Sequence, residues 1–267
     1  MIYDCFTFMD ELELLDLKLR VLSPVVDHFV LVEATTTFTG KPKELIFAAN
    51  RDRFAKYADK IIYVAVTDSP KPTSPTDVWN VEAHQRNAIM RGLTDAPRDS
   101  RIIISDADEI AHPEVVTEYS ASNRLVGFPC RLYYYYVNCL QTQLWHGPVM
   151  SPRCSMPTPH KMRFSRTVCP VNANKLGWHF SFLGGVDRVR AKLAAFSETQ
   201  VNTKATTNSE HIQHCLETGE DLFFRKDAFA RKEFVPIDDT YPACIHDWIA
   251  EYPYLMKTQL CQISTSS

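Results

Sequence analysis

Hydrophobic and polar positions in the first part of the chain alternate as they do in strand–helix–strand proteins. The apolar-aromatic run Ile2 to Phe8 predicts a strand. From Glu11 to Leu22, Leu12, Leu15, Leu19 and Leu22 fall at helical spacing, with Asp10 and Glu11 at the end where negative charge is favoured. His28 to Glu33 predicts a second strand. After the turn Thr35 to Gly40 and Lys41-Pro42, a helix is expected around Asn50 to Tyr57 and a third strand at Ile61 to Val66. Pro70, Pro72 and Pro75 make Thr67 to Thr76 a loop. Val81, His84, Ala88, Met90 and Leu93 predict a helix across Val78 to Leu93, and Arg101 to Ser105 is a β-branched run bounded by polar residues. Strand, helix, strand order implies a mainly parallel sheet flanked by helices, an α/β fold.

The pattern is looser beyond Pro113. A helix to Ser122 precedes an aromatic β region, Val126 to Leu140, where alternation would send two of Tyr133, Tyr134, Tyr135 and Tyr136 to each face. Five prolines between Trp145 and Val171 predict long loops, Gly177 to Gly185 predicts a turn beside a site, and helices are expected at Asp187 to Phe196 and Glu210 to Glu217. The expected organisation is one domain over residues 1–267, its two halves meeting at 125/126.

Composition narrows the partners. A formal net charge of -3 gives no electrostatic footprint for nucleic acid or an anionic membrane. Apolar runs such as Val25 to Val32 are too short to span a bilayer, and no secretory pattern opens the chain. Eight cysteines without a CxxC pair point away from a zinc ribbon or redox motif, and no Asn-x-Ser/Thr acceptor occurs. A soluble, cytoplasmic protein with free thiols is expected. Its oligomeric state is left open.

The chemistry concentrates at Asp106, Asp108 and Glu109, directly after the Arg101 to Ser105 strand, at the edge where open α/β sheets place ligands. Carboxylates are the hard oxygen ligands of Mg²⁺ or Mn²⁺, and such an ion can bridge the oxygens of a diphosphate. Asp106 and Asp108 flank Ala107, so both can turn to one site. An acidic run after a strand is also an ordinary solvated turn or helix cap.

Four blocks carry a family resemblance: Glu13-Leu14-Leu15-Asp16-Leu17; Val25-Val26-Asp27-His28-Phe29-Val30 with Glu33; Asp106-Ala107-Asp108-Glu109-Ile110; and Gly177-Trp178-His179. Together with the Thr37 to Pro42 turn they resemble glycosyltransferase family 17. The resemblance implies a GT-A-like Rossmannoid fold, with a nucleotide-sugar half (1–125) and an acceptor half (126–267). It also implies inverting transfer of N-acetylglucosamine from UDP-GlcNAc, with a divalent metal, to a glycan hydroxyl. The chain is expected to differ from animal members in having no membrane anchor, and its central prolines differ from theirs, so the acceptor is not carried across.

Under that resemblance Asp187 is the first candidate base, with Glu109 and Glu198 behind it. His179 joins Asp106 and Asp108 as a metal ligand, and Lys192 neutralises phosphate. Glu33 and Thr35, with Thr37, lie where a Rossmann-like half would read uridine, and Arg86 could fork onto phosphate. Trp79 and Trp145 could offer flat faces to a sugar ring. Each has a plainer alternative: helix-end charge for Asp187, a core histidine for His179, a solvated helix lysine for Lys192, a surface salt bridge for Arg86. A nucleotidyltransferase acting on sugar phosphates, or a non-catalytic carbohydrate-binding protein with a transferase fold, would also suit paired aspartates at a strand end.

Overall fold

The computed structural model describes residues 1–74, 76–167, 171, 174–227 and 230–258. Pro75, Cys169, Pro170, Cys261 and the tail Ser264 to Ser267 lie outside the described residues. Strands β1 (Ile2–Phe8), β2 (His28–Ala34), β3 (Ile61–Val66) and β4 (Arg101–Asp106) form as their apolar runs require, and they pair with one another in parallel, in the order β3-β2-β1-β4. Helix α1 (Leu12–Leu22) returns the chain from β1 to β2, burying its leucines against Phe6, Phe29 and Leu31. The chain winds outward from β1 to β3 and then recrosses to place β4 on the other side of β1. The sheet therefore has its switch point between β1 and β4, and the crevice at their carboxyl ends is where such sheets bind ligands.

The second crossover departs from expectation in detail. A short helix α2 (Ile46–Ala49) leads into 3-10 turns over Arg51–Lys60 instead of one helix from Asn50 to Tyr57. The Val78 to Leu93 stretch divides into α3 (Val78–Asn87) and α4 (Ile89–Gly92).

Antiparallel strands extend the sheet. After β5 (Glu109–Ile110) and α5 (Pro113–Tyr119) come β6 (Val126–Tyr134) and β7 (Cys139–Pro152). Strand β7 pairs antiparallel with both β4 and β6. The expected loop from Trp145 onward is corrected here: Pro148 sits inside β7, opposite the register shift between Gly127 and Pro129, a bulge where a missing N–H is tolerated. Pro159 opens helix α6 (Pro159–Phe164), using proline's fitness for a first helical turn. The tyrosines also break their alternation. Tyr133 stacks on Phe180, whereas Tyr135 takes a left-handed φ of 67° and joins Tyr134 in the cluster on the other side.

Gly177 to Gly185 is not one turn. Strand β8 (Gly177–Ser181) runs parallel to β6 and antiparallel to β5, and only then do Gly184 and Gly185, both with positive φ, start α7 (Gly185–Ala195). Glycine is required at 177, where a Cβ would stand 2.3 Å from the Ile110 carbonyl oxygen. Helix α8 (Ser209–Thr218), strand β9 (Lys232–Phe234) on β7, and helix α9 (Ile245–Glu251) complete the order. Among the described residues no helix is long and apolar enough to cross a membrane, and the six described cysteines are free.

Candidate active site

A cavity of about 600 Å³ opens at the carboxyl ends of β1 and β4, lined there by Thr7, Phe8, Asp106 and Asp108. Pairing of β5 with β8 sets Glu109 opposite His179, and the Phe180 amide donates to the Asp108 carbonyl at 2.9 Å, so the acidic turn and the histidine strand are one unit. Lys18 holds this unit from below. Its fully buried Nζ donates to the backbone oxygens of Asp106 (3.2 Å) and Glu109 (2.6 Å) and to Ser105 Oγ (2.9 Å), and pairs with Asp4 at 3.2 Å.

Each carboxylate of the motif has a distinct environment. Asp106 keeps a third of its side chain exposed to the cavity, with Arg86 on Oδ1 at 3.1 Å and Arg163 on Oδ2 at 2.7 Å. Burial would raise its pKa, but Arg163 and Arg86 outweigh that and hold it at about 2. Asp108 meets Lys192 Nζ at 2.7 Å and His179 Nε2 at 3.4 Å. Against burial, Lys192 first and then His179 keep Asp108 well below the usual carboxylate range, and Asp108 and Glu11 in turn raise Lys192 against its own burial. Both aspartates are anionic at neutral pH.

Glu109 is different. It is wholly buried, gripped by both terminal nitrogens of Arg163 (2.7 and 2.6 Å) and by Trp145 Nε1 (2.5 Å), and it accepts the Asp106 amide at 3.1 Å. The candidacy of Glu109 as base is corrected accordingly: it fixes the turn and does not face the cavity.

The remaining expectations divide by position. Arg86, Lys192 and His179 all line the cavity. Glu33 does not: its carboxylate is fully buried, accepting the amides of Phe47 (2.9 Å) and Ala48 (3.3 Å) at the start of α2 and the Tyr63 hydroxyl (2.9 Å). Helix-end donors claim it, so it cannot read a nucleotide. Thr35 donates to the Val66 carbonyl, and its neighbours Thr36 and Thr37 line the cavity instead. Asp187 faces a separate surface groove with Lys41, Arg190 and Asn202, away from the acidic turn. Trp79, 39% exposed, and Trp145 both line the cavity, and Trp145 also packs against His179 and Arg166.

Three site residues escape the sequence reading. Arg163 and Arg166 sit on and just after α6, in the proline-rich stretch; Thr158-Pro159 ahead of a basic i, i+3 pair is the signal that would have exposed them. Glu11, half-buried, lines both the cavity and a smaller pocket behind it beside Lys192 and Arg188. Its carboxylate accepts the Met9 and Asp10 amides and has no cation within ion-pair distance among the described residues. Burial above all, then Asp10 and Asp108 against the opposing Lys192, raise its pKa to about 7.

The donors fit a hard divalent cation. Two ligands of one octahedral ion stand about 3 Å apart, close to the Asp108–His179 separation, and His179 Nδ1 is buried without a hydrogen-bond partner. Among the described residues no three His, Cys, Asp or Glu side chains could hold a metal by themselves. An ion here would need water or substrate oxygens to complete its shell, as Mg²⁺ commonly does.

Comparison with known proteins bears on this arrangement. Beta-1,4-mannosyl-glycoprotein 4-beta-N-acetylglucosaminyltransferase of Homo sapiens and of Rattus norvegicus are each 32% identical over 106 residues, 38% of this chain and 20% of each relative. The match thus spans about a fifth of the length of these curated relatives. Among solved structures, the mannosyltransferase PcManGT from Pyrobaculum calidifontis, in complex with GDP-Man and Mn2+, is similar at 12% identity and a TM-score of 0.39, over 81% of this chain and 70% of that one. The model of Glycosyltransferase family 17 matches residues 1–236, which takes in β1, the acidic turn, His179 and Lys192, and this chain belongs to that family.

Proposed function

We propose that the chain is a metal-dependent inverting glycosyltransferase that moves a sugar, N-acetylglucosamine first among candidates, from a UDP-sugar to a glycan hydroxyl. The observation that carries this reading is the convergence of ionised Asp106 and Asp108 with His179 on one cavity at the sheet's switch point. Family membership and the names of the curated relatives support the sugar and the acceptor class. Asp106, Asp108 and His179, with water or substrate oxygens completing the shell, would hold the cation, which when bound neutralises charge on the diphosphate.

The chain's own residues supply the rest. Arg163 and Glu109 keep the acidic turn in one shape, and Lys192 and Arg86 balance its charge. Glu11 takes the proton of the acceptor hydroxyl as the new glycosidic bond forms and UDP leaves. A carboxylate with pKa near neutrality suits that task, because it is ionised at working pH yet basic enough to accept a proton. Asp187, the base expected from sequence, faces the wrong groove.

The first test is a screen of UDP-sugars for Mn²⁺-dependent UDP release, followed by acceptor trials with the preferred donor. Release of pyrophosphate from UTP and a sugar 1-phosphate, with no UDP release from any UDP-sugar, would signal nucleotidyl transfer instead. The base assignment makes its own prediction. Glu11 must be deprotonated to act, so kcat/KM rises with pH and levels off above about 7. Glu11→Gln lowers transfer by about 10²- to 10⁴-fold, the usual worth of a general base, and removes that limb of the profile while UDP still binds. Asp10, Asp108 and Lys192 act on Glu11 electrostatically, and Glu13 and Arg188 share its smaller pocket. A variant that retains the parent's pH limb means that another group is titrating.

A further inference from the structure

Cations line the cavity at Lys43, Arg86, Arg163, Arg166, Lys192 and Arg225. Five of them are engaged by carboxylates: Lys43 by Glu33, Arg86 and Arg163 by Asp106, Lys192 by Asp108, and Arg225 by Asp221. Arg166 alone has no carboxylate within ion-pair distance among the described residues. Its guanidinium carbon lies 5.3 Å over the Trp145 ring, and Nη1 donates to the Arg163 carbonyl at 3.3 Å. That leaves most of its five N–H donors unused. Burial and the adjacent Arg163 both work against its charge, as its lowered pKa records.

An arginine held over an indole, half-buried, beside a second arginine and with no carboxylate within ion-pair distance among the described residues, is an electrostatically incomplete arrangement. A doubly charged, oxygen-rich group would complete it, and the guanidinium fork matches phosphate oxygens in a way an ammonium does not. The motif carboxylates lie close by. Arg163, three residues earlier, already holds Asp106, so an anion reaching Arg166 also lies near the proposed cation site.

We infer that Arg166 binds the diphosphate of the donor and takes up charge on the departing UDP, a role that rests on the transferase reading above. Lys192 and Arg86, the cations to which sequence assigned phosphate, are committed to the acidic turn instead.

The test is calorimetric titration of UDP and of UMP, each with Mn²⁺, into the parent, Arg166→Gln and Arg166→Met. The methionine variant keeps an apolar stem over Trp145, and thermal unfolding identifies which variants are folded; either one decides. The expected result is a loss of about 10- to 100-fold in affinity for UDP, the range given by a lost charge-assisted hydrogen bond, with a much smaller loss for UMP. Parent-like UDP affinity in a folded variant overturns the assignment and leaves the transferase reading intact, as does an equal loss for UDP and UMP. A parent that binds neither nucleotide overturns the donor-site reading itself, and the Arg166 role with it.

Discussion

Turnover of a UDP-sugar falls by roughly 10³-fold or more when Asp108 is replaced by alanine, because several kcal/mol of leaving-group stabilisation depend on the ion it helps to hold. Asp108 is the motif carboxylate whose charge is most firmly fixed. Its side chain is only 7% exposed, and Lys192 and His179 hold it ionised against burial. Asp108→Asn keeps the shape and removes the charge, so it should lose nearly as much activity while retaining a cooperative thermal transition. The measurement is UDP release at saturating Mn²⁺ beside a thermal melt of each variant. Full turnover with ordinary Mn²⁺ dependence in folded Asp108→Ala would remove the central element of the proposal.

How far the sequence could reveal this site depended on whether a residue's neighbours are local. The parallel half was legible because β1 to β4 are contiguous apolar runs and α1 has a clean leucine stripe, so element order alone located the acidic turn at a strand end. Asp106, Asp108, Arg86, His179 and Lys192 do meet at one cavity. The second half was not legible to the same degree, since a proline inside β7 is permitted by a bulge of β7 against β6, which is a property of the pair. That misreading hid α6 and with it Arg163 and Arg166.

Glu33 and Glu11 illustrate the same limit from opposite sides. Glu33 ends a strand in the right half of the sheet, yet a helix start distant in sequence consumes its oxygens. Glu11 resembles an ordinary helix-end charge. Only the fold shows it half-buried at the cavity, within electrostatic reach of Asp10, Asp108 and Lys192, where its ionisation moves to near neutrality. Asp187, four positions before Ala191 and five before Lys192, shows how helical phase decides: Lys192 points at the acidic turn and Asp187 at the outer groove.

Lys18→Met should cost about 3–5 kcal/mol of stability, the usual penalty for removing one partner of a buried ion pair. Lys18 is wholly enclosed, and its loss leaves Asp4, 1% exposed, with Ser105 as its remaining side-chain hydrogen bond. Burial already raises the Asp4 pKa, with Lys18 the chief opposing influence, so the variant raises it further. The direction of the pH dependence follows. A folded-state pKa above the unfolded value favours the fold at low pH, and that advantage disappears as pH rises through the folded value. Urea unfolding should therefore show a larger deficit for Lys18→Met at mildly alkaline than at mildly acidic pH. The double variant Asp4→Asn/Lys18→Met should recover part of it, because no buried charge is left alone. Activity supplies the second readout: without Lys18 the backbone oxygens of Asp106 and Glu109 lose their shared donor, so the folded fraction should also turn over more slowly. Parent-like stability at alkaline pH would mean that the lysine is dispensable, and the acidic turn would then owe its shape to Arg163, Trp145 and the Phe180 amide.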